Sequence, residues 1–260
     1  MASMSERFAF DVVAQTYDET FTSGCIASLA RQAVWRRSDA MFAPGSAVLE
    51  MNCGTGEDAA HLATRGIRVH ATDISSEMLR VASEKLSRRG LADAVQLSQL
   101  AWEELDSLPE HAYDGALSNF GGLNCVRDLR PIAAALARRL RPGASVLLCV
   151  MGPFAIWEWI WYLLRLQPSK AVRRLRRNAE WRGIPLTYPS PRKLARCFAN
   201  EFRVTRISGI GVLLPPPFAE SFATRWPRLT NAFNGIERRL ETLPPLYWLA
   251  DHYLMELERV

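Results

Sequence analysis

Three turn-forming residues at alternate positions, Asn52, Gly54 and Gly56, follow a short apolar run, Ala47-Val48-Leu49-Glu50-Met51. Such a turn between a strand and a helix lets the backbone approach a ligand closely. Seventeen residues after Gly56, the stretch ATDIS sets Asp73 at the end of the next apolar run. An acid there accepts hydrogen bonds from a ribose diol. Together these features predict a nucleotide-type ligand at the ends of two strands. The spacing departs from the G-x-G-x-x-G nicotinamide fingerprint, and no Gly-Lys-Ser/Thr follows, which excludes a phosphate-binding P-loop.

Other chemistry-bearing residues are scattered. His61, His70, His111 and His252 stand apart from one another, and an isolated histidine is more often structural than catalytic. Cys53 sits inside the glycine turn, where a small packed residue is the plainer reading than a nucleophile. Nothing resembles a Cys/His or Ser/His/Asp arrangement, and no catalytic residue is assigned. Five cysteines without a CxxC argue against a disulfide framework or a zinc site, so no metal is expected. That usage fits a reducing cytoplasm, and the N-terminal MASMSERFAF has no secretory pattern.

The elements that must position the turn follow an alternating rhythm. Phe10, Val13, Ala14, Tyr17 and Phe21 recur at helical spacing, and a second helix is expected over 27–42. Strands are expected at 47–51, 67–71, 94–100, 113–117 and 145–151, with helices at 57–65, 76–89 and 126–141. Apolar runs alternating with helices predict a parallel sheet covered on both faces. Beyond Met151 a helix is expected over 191–202, a strand over 203–214, a helix over 218–241 and a last strand over 252–258. The fold class is thus α/β: a three-layer, Rossmann-like, seven-stranded, mostly parallel sheet with an antiparallel last strand and a helical cap insertion. The division expected is 1–45 as helices covering the ligand, 46–153 and 186–260 as core with a cap helix at 218–241, and 154–185 as the cap.

Glu50 followed by x-G-x-G spacing resembles motif I of the class I S-adenosylmethionine-dependent methyltransferases. AYDGALSNFGGLN is similar to that family's fourth strand and substrate mouth, and LARRLRPGASVLLCVM to its turn into strand five. VVAQTYDETF resembles the helix that folds over the cofactor in the quinone-biosynthesis-like (type 11) branch. The resemblance covers the chain to about Met151. It implies S-adenosylmethionine as cofactor, whose ammonium and sulfonium favour a negative group such as Glu50. It maps Tyr17, Glu50, Asn52, Gly54, Gly56, Asp73, Ile74 and Met78 to cofactor contacts, and Asn119 to the end of strand four near the methyl group. Asn52 replaces the usual first glycine and tolerates a left-handed backbone. Ala101 stands where an acid usually bonds adenine, which leaves that role to backbone groups and Trp102. Tyr17 and Trp102 also have a plain reading as packing aromatics. Phe120 and Asn124 in the mouth, with Trp157 and Trp161 beyond it, are the candidate substrate contacts.

The implied reaction is in-line methyl transfer to a small apolar molecule, lipid-like or polyketide-like. A thiolate, neutral amine or carboxylate acceptor would need only positioning; a phenol, alcohol or carbon acid would gain from a base. FAIWEWIWYLLRL (154–166) is too short and too charged to span a bilayer, leaving a buried helix, a lid or a membrane-facing anchor. Lys170, Arg173, Arg174 and Arg177 share one helical face, predicting a basic amphipathic helix and peripheral contact with anionic membrane. Arg165 to Arg206 holds twelve Lys/Arg against two acids, so the net charge of +5 is a local feature. Two other functions stay open: a nucleic-acid methyltransferase using that segment, and a noncatalytic cofactor-binding module. Ser118-Asn119-Phe120-Gly121 lacks the Pro-Pro-aromatic motif of nucleic-acid N-methylation, and the basic segment lacks interleaved aromatics for base stacking.

Overall fold

Side chains alternate across a strand, and the buried residues of this chain sort accordingly. Val48, Leu147 and Leu254 join one apolar cluster, whereas their neighbours Leu49, Leu148 and Met255 join another on the opposite side. A sheet buried on both faces lies between them. The computed structural model describes residues 9–176, 179–216 and 219–260. Its strands are β1 (Ala47–Met51), β2 (Arg68–Asp73), β3 (Val95–Gln99), β4 (Tyr113–Ser118), β5 (Leu140–Met151), β6 (Glu180–Trp181), β7 (Ile184–Pro185), β8 (Phe202–Ile210) and β9 (His252–Arg259). Seven of them form one sheet in the order β3-β2-β1-β4-β5-β9-β8. β1 to β5 pair in parallel, and β9 runs antiparallel to both β5 and β8.

Helices α1 (Tyr17–Phe21), α2 (Cys25–Met41), α3 (Glu57–Thr64) and α4 (Ser76–Arg88) precede α5 (Leu129–Arg139). The apolar residues of α2, α3 and α4 cover one face; those of α5 and of α8 (Pro191–Phe198) cover the other. In the N-terminal segment residues 9–11 are helical, and a 3-10 turn, Ala14–Thr16, leads into α1. Expected strands and helices of the first half lie within a few residues of their observed bounds, with one difference in pairing. β5 starts at Leu140 opposite Tyr113, and the register shifts before resuming at Ser145; Pro142-Gly143 is a kink in a strand, not the stop after a helix.

The second half departs further. The apolar segment forms α6 (Ile156–Leu164), yet Glu158 is its one buried residue. Ile160, Leu163 and Leu164 are exposed, so α6 is not a buried helix. The expected basic amphipathic helix is replaced by α7 (Pro168–Ala171) and a 3-10 turn, Arg173–Leu175. Arg174 points inward and is buried; Arg177 lies outside the described residues. The reason is electrostatic. Arg173 donates to both oxygens of Glu158 at 3.0 and 2.6 Å, and Arg174 bonds Glu158 at 2.7 Å and also Asp251. The segment is also not wholly helical: β6 and β7 pair across Arg182-Gly183, both with positive φ (51° and 79°), the geometry of a tight hairpin. Trp181 from that hairpin packs on Phe10.

The helix expected over 218–241 is two helices, α9 (Glu220–Arg225) and α10 (Pro227–Leu240), because Pro227 removes a backbone donor and starts a new helix. Phe218 lies outside the described residues. A further short helix, α11 (Pro244–Leu249), precedes β9. This half clamps the first: Glu220 accepts the Cys25 and Ile26 N–H groups at the start of α2 at 2.6 and 3.2 Å, a helix end that favours negative charge. Among the described residues, no helix is long and apolar enough to cross a membrane.

Candidate functional site

Ligands of open α/β sheets bind outside the carboxyl ends of the strands, and here that edge opens into a cavity of about 830 Å³. The turn after β1 forms its floor. Asn52, Gly54 and Gly56 all take left-handed backbone (φ 54°, 54° and 75°). A Cβ on Gly56 would also meet Ala82 Cβ at 3.0 Å, so this position requires glycine. Asn52 donates to Asn119 O at 2.7 Å and accepts from the Ser118 hydroxyl at 2.6 Å, stitching the turn to the end of β4. The packing is close enough that a Cβ on Gly122 would lie 2.1 Å from Asn52 Cγ.

Asp73, at the end of β2, accepts from Gly54 N–H at 2.8 Å and Ser75 N–H at 2.9 Å. Burial raises its pKa, and these backbone donors oppose the rise. Its carboxylate thus braces the turn while facing the cavity. α1 is fixed over the same turn: Asp18 accepts from Thr55 Oγ1 at 2.6 Å and pairs with Lys85 at 2.6 Å. That anchor carries Tyr17 into the cavity, where burial raises its phenol, Arg31 opposes and Asp73 adds.

The cavity wall brings together Tyr17, Asn52, Gly54, Asp73, Ile74, Met78, Ala101, Trp102, Asn119 and Phe120. Five other candidates lie elsewhere. Gly56 sits beneath the turn. Asn124 is fully buried, donating to Met151 O at 3.0 Å and Thr187 O at 2.7 Å; it is a brace, not a substrate contact. Trp157 and Trp161 do not reach the wall, and Trp161 instead stacks under the Arg165 guanidinium at 3.5 Å. Glu50 lies behind the turn, fully enclosed, with Oε2 lacking a partner. Burial, then Asp58, pushes its pKa well above the usual carboxylate range, against Arg31.

Two groups of wall residues were missed from sequence. Asp58, buried in the first turn of α3, accepts from Arg31 at 2.6 Å, Trp35 at 2.7 Å and Asn119 at 2.8 Å. Burial acts to raise its pKa, but Arg31 and then the Asn119 and Trp35 donors hold it below the usual range. Arg31 stands on the apolar face of α2, between Ala27, Ala30 and Val34, and that misplacement was the available signal. The second group is Arg174, Asp251 and His252 at the far end. Phe120 lies between the two groups, its ring 5.0 Å from the Arg31 guanidinium and edge-on to His252 at 5.4 Å.

The site fits an adenosine-bearing sulfonium. Glu50 stands enclosed behind the turn with one oxygen unpartnered, Asp73 offers acceptor lone pairs at its rim, and Trp102 and Met78 supply apolar wall. Residues 48–143 match a family model described as a methyltransferase domain. The matched stretch holds the turn, Asp73 and β1 to β4, and in these features it is similar to the class I S-adenosylmethionine-dependent methyltransferases, and distantly to the demethylmenaquinone methyltransferases. The chain is 32% identical to the demethylmenaquinone methyltransferase of Thermobifida fusca over 145 residues, 54% of this chain and 58% of that protein. The Mycobacterium marinum enzyme of the same name is 29% identical over 178 residues, 66% and 71% of the two chains. The chain thus spans little more than half of the Thermobifida relative. Among solved structures, the [4+2]-cyclase SpnF superposes with a TM-score of 0.64 at 17% identity, over 98% of this chain and 94% of that one. Geranyl diphosphate C-methyltransferase from Streptomyces coelicolor A3(2) gives 0.57 at 13% identity, over 88% and 80%. At such identities the likeness shows the fold.

Proposed function

We propose that this protein transfers a methyl group from S-adenosylmethionine to a small, largely apolar acceptor. One observation carries the reading: a single cavity extends from the Asp73–Met78 corner past Phe120 to Tyr188, Ile210 and Leu214. It is large enough to set an acceptor beside the cofactor, which is what in-line transfer needs. Tyr17, Asn52, Gly54, Asp73, Ile74, Met78, Ala101, Trp102 and Asn119 hold the cofactor end, with Glu50 enclosed behind the turn. Phe120 lines the acceptor end. Relatives named for demethylmenaquinone support an acceptor of quinone-like, lipid-like character. The test is release of S-adenosylhomocysteine with apolar phenols, thiols, amines and lipids. Turnover of one such class is expected; binding without turnover of any would favour a nonmethylating role, and the cyclase neighbour shows that the fold permits one.

Nucleic-acid methylation is the weaker alternative, because Arg173 and Arg174 are spent on Glu158 and Asp251 rather than offered to phosphates. A salt-sensitive RNA gel shift would revive it. A peripheral visit to anionic membrane is favoured by one feature: Leu164 and Leu166 are 79% and 89% exposed beside Arg165 and Lys170. Co-sedimentation with anionic vesicles, lost in Leu164→Glu/Leu166→Glu, tests it. We place the protein in the cytoplasm, where cysteines scattered without a CxxC are chemically at home.

A further inference from the structure

An antiparallel strand enters a sheet at the edge where its parallel neighbours leave it. His252, the first residue of β9, pairs with Met151 at the end of β5 and with Ile210 at the end of β8. The imidazole is thereby delivered to the cavity wall beside Asn119, Phe120 and Gly121. The other histidines are occupied elsewhere. His70 bonds Tyr113 and Ser98 through its two nitrogens, at 2.6 and 2.8 Å. His61 stacks on Trp35, and His111 faces Leu140 O.

His252 Nδ1 lies 3.0 Å from Asp251 Oδ2. Among the described residues, its Nε2 meets no protein partner. The Asp251 carboxylate is itself fixed. Arg174 binds its other oxygen, donates to Asp251 O at 2.9 Å and Gly152 O at 3.2 Å, and is held from behind by Glu158. Burial acts to raise the Asp251 pKa, but Arg174 and then His252 hold it far below the usual range. A fixed carboxylate on one imidazole nitrogen keeps the proton there and leaves the other nitrogen as an acceptor.

We propose that His252 is the general base of the reaction, positioned by Asp251 and Arg174, and that the acceptor carries an acidic hydroxyl, a phenol or an enol. This rests on the methyltransferase reading above. Nε2 takes the hydroxyl proton, and the O–H electron pair stays on the acceptor. The acceptor's oxygen, or the carbon conjugated with it, then bonds the methyl carbon. The pair of the broken carbon–sulfur bond passes to sulfur, leaving a neutral thioether, and the imidazolium returns its proton to solvent. Other charged and titratable groups reach this corner from each packed element. Tyr188 lies under the Arg174 guanidinium, Arg31 and Asp58 face it across the Phe120 ring, Cys149 comes from β5, and Glu237 holds the Gly211 N–H beside Asp251.

The test combines a ¹⁵N spectrum of the chain saturated with S-adenosylhomocysteine and turnover of 1-naphthol against 1-naphthylamine. The spectrum, assigned with His252→Gln, should show the Nδ1–H tautomer, lost as a preference in Asp251→Asn. His252→Gln should lose about 10²–10⁴-fold in kcat while cofactor affinity and acceptor KM stay within about threefold of wild type. An Nε2–H tautomer, an unaffected His252→Gln enzyme, or preference for the amine would each overturn the proposal. Failure of cofactor binding in the wild type would instead overturn the methyltransferase reading.

Discussion

Two buried arginines divide the cavity between them. Arg31, at the cofactor end, reaches one carboxylate, Asp58, which Trp35 and Asn119 also satisfy. Arg174, at the acceptor end, joins two carboxylates from separate segments, Glu158 of α6 and Asp251 before β9, at 6% side-chain exposure. The first is a local brace within units that fold beside one another. The second is a joint between an insertion and a strand 77 residues away. Removing one partner of a buried pair leaves an uncompensated charge, and the penalty depends on what other donors remain.

That comparison can be broken by experiment. Arg174→Met should cost the most, about 3–5 kcal/mol in denaturant unfolding, because Asp251 loses its buried arginine and the Gly152 and Asp251 carbonyls lose their donor, although Glu158 keeps Arg173. It should abolish acceptor turnover yet leave cofactor affinity within about twofold, the free-energy equivalent of a weak surface effect. Arg31→Met should cost about 1–3 kcal/mol, less because two neutral donors stay on Asp58, and its loss should fall on cofactor affinity. Equal costs, or the same functional defect in both, would dissolve the distinction.

The pH dependence separates the carboxylates further. Asp58 and Asp251 have lowered pKa values, so their stabilisation is present above the unfolded carboxylate value near 4 and is lost as pH falls through the folded value. Glu50 has a raised pKa, so its relative contribution is fully present below that unfolded value and declines as pH rises through the folded one. Glu50→Gln should therefore unfold like wild type near pH 4 and at a higher Tm near pH 7. The gain should be roughly 2–4 °C for each kcal/mol of relieved burial, accompanied by weaker cofactor binding. A Tm gain independent of pH would contradict the assignment. The smallest stability effect is expected at Leu164→Glu/Leu166→Glu, within about 0.5 kcal/mol, because both side chains already face solvent.

The same two regions differ in how far their sequence can be read. In the first half, strand, turn and helix follow one another within a few residues. Asn52, Gly54 and Gly56 mark left-handed backbone that few residue types adopt, and Asp73 marks a strand end. The placement of Asn52, Gly54 and Asp73 at one cavity was legible for that reason, whereas the retreat of Glu50 behind the turn was not. The second half hides its logic in long-range pairs. Lys170, Arg173, Arg174 and Arg177 carry a helical period, but the partners that turn Arg174 inward are Glu158 and Asp251, visible only once β9 lies beside β5. α6 reads as apolar and turns its one acid to the interior. His252 looks isolated until Asp251 is held by Arg174. Pro227 was a local signal for a helix break inside 218–241 and needed no tertiary context.

The central claim is that the turn after β1 and Asp73 form a site for S-adenosylmethionine. Calorimetric titration of the chain with that cofactor, and with NADH in parallel, tests it most directly. Micromolar binding of the first alone is expected, weakened roughly 10–100-fold in Asp73→Ala with an unchanged circular dichroism spectrum. Absence of S-adenosylmethionine binding, binding of NADH, or full affinity in Asp73→Ala would contradict the account.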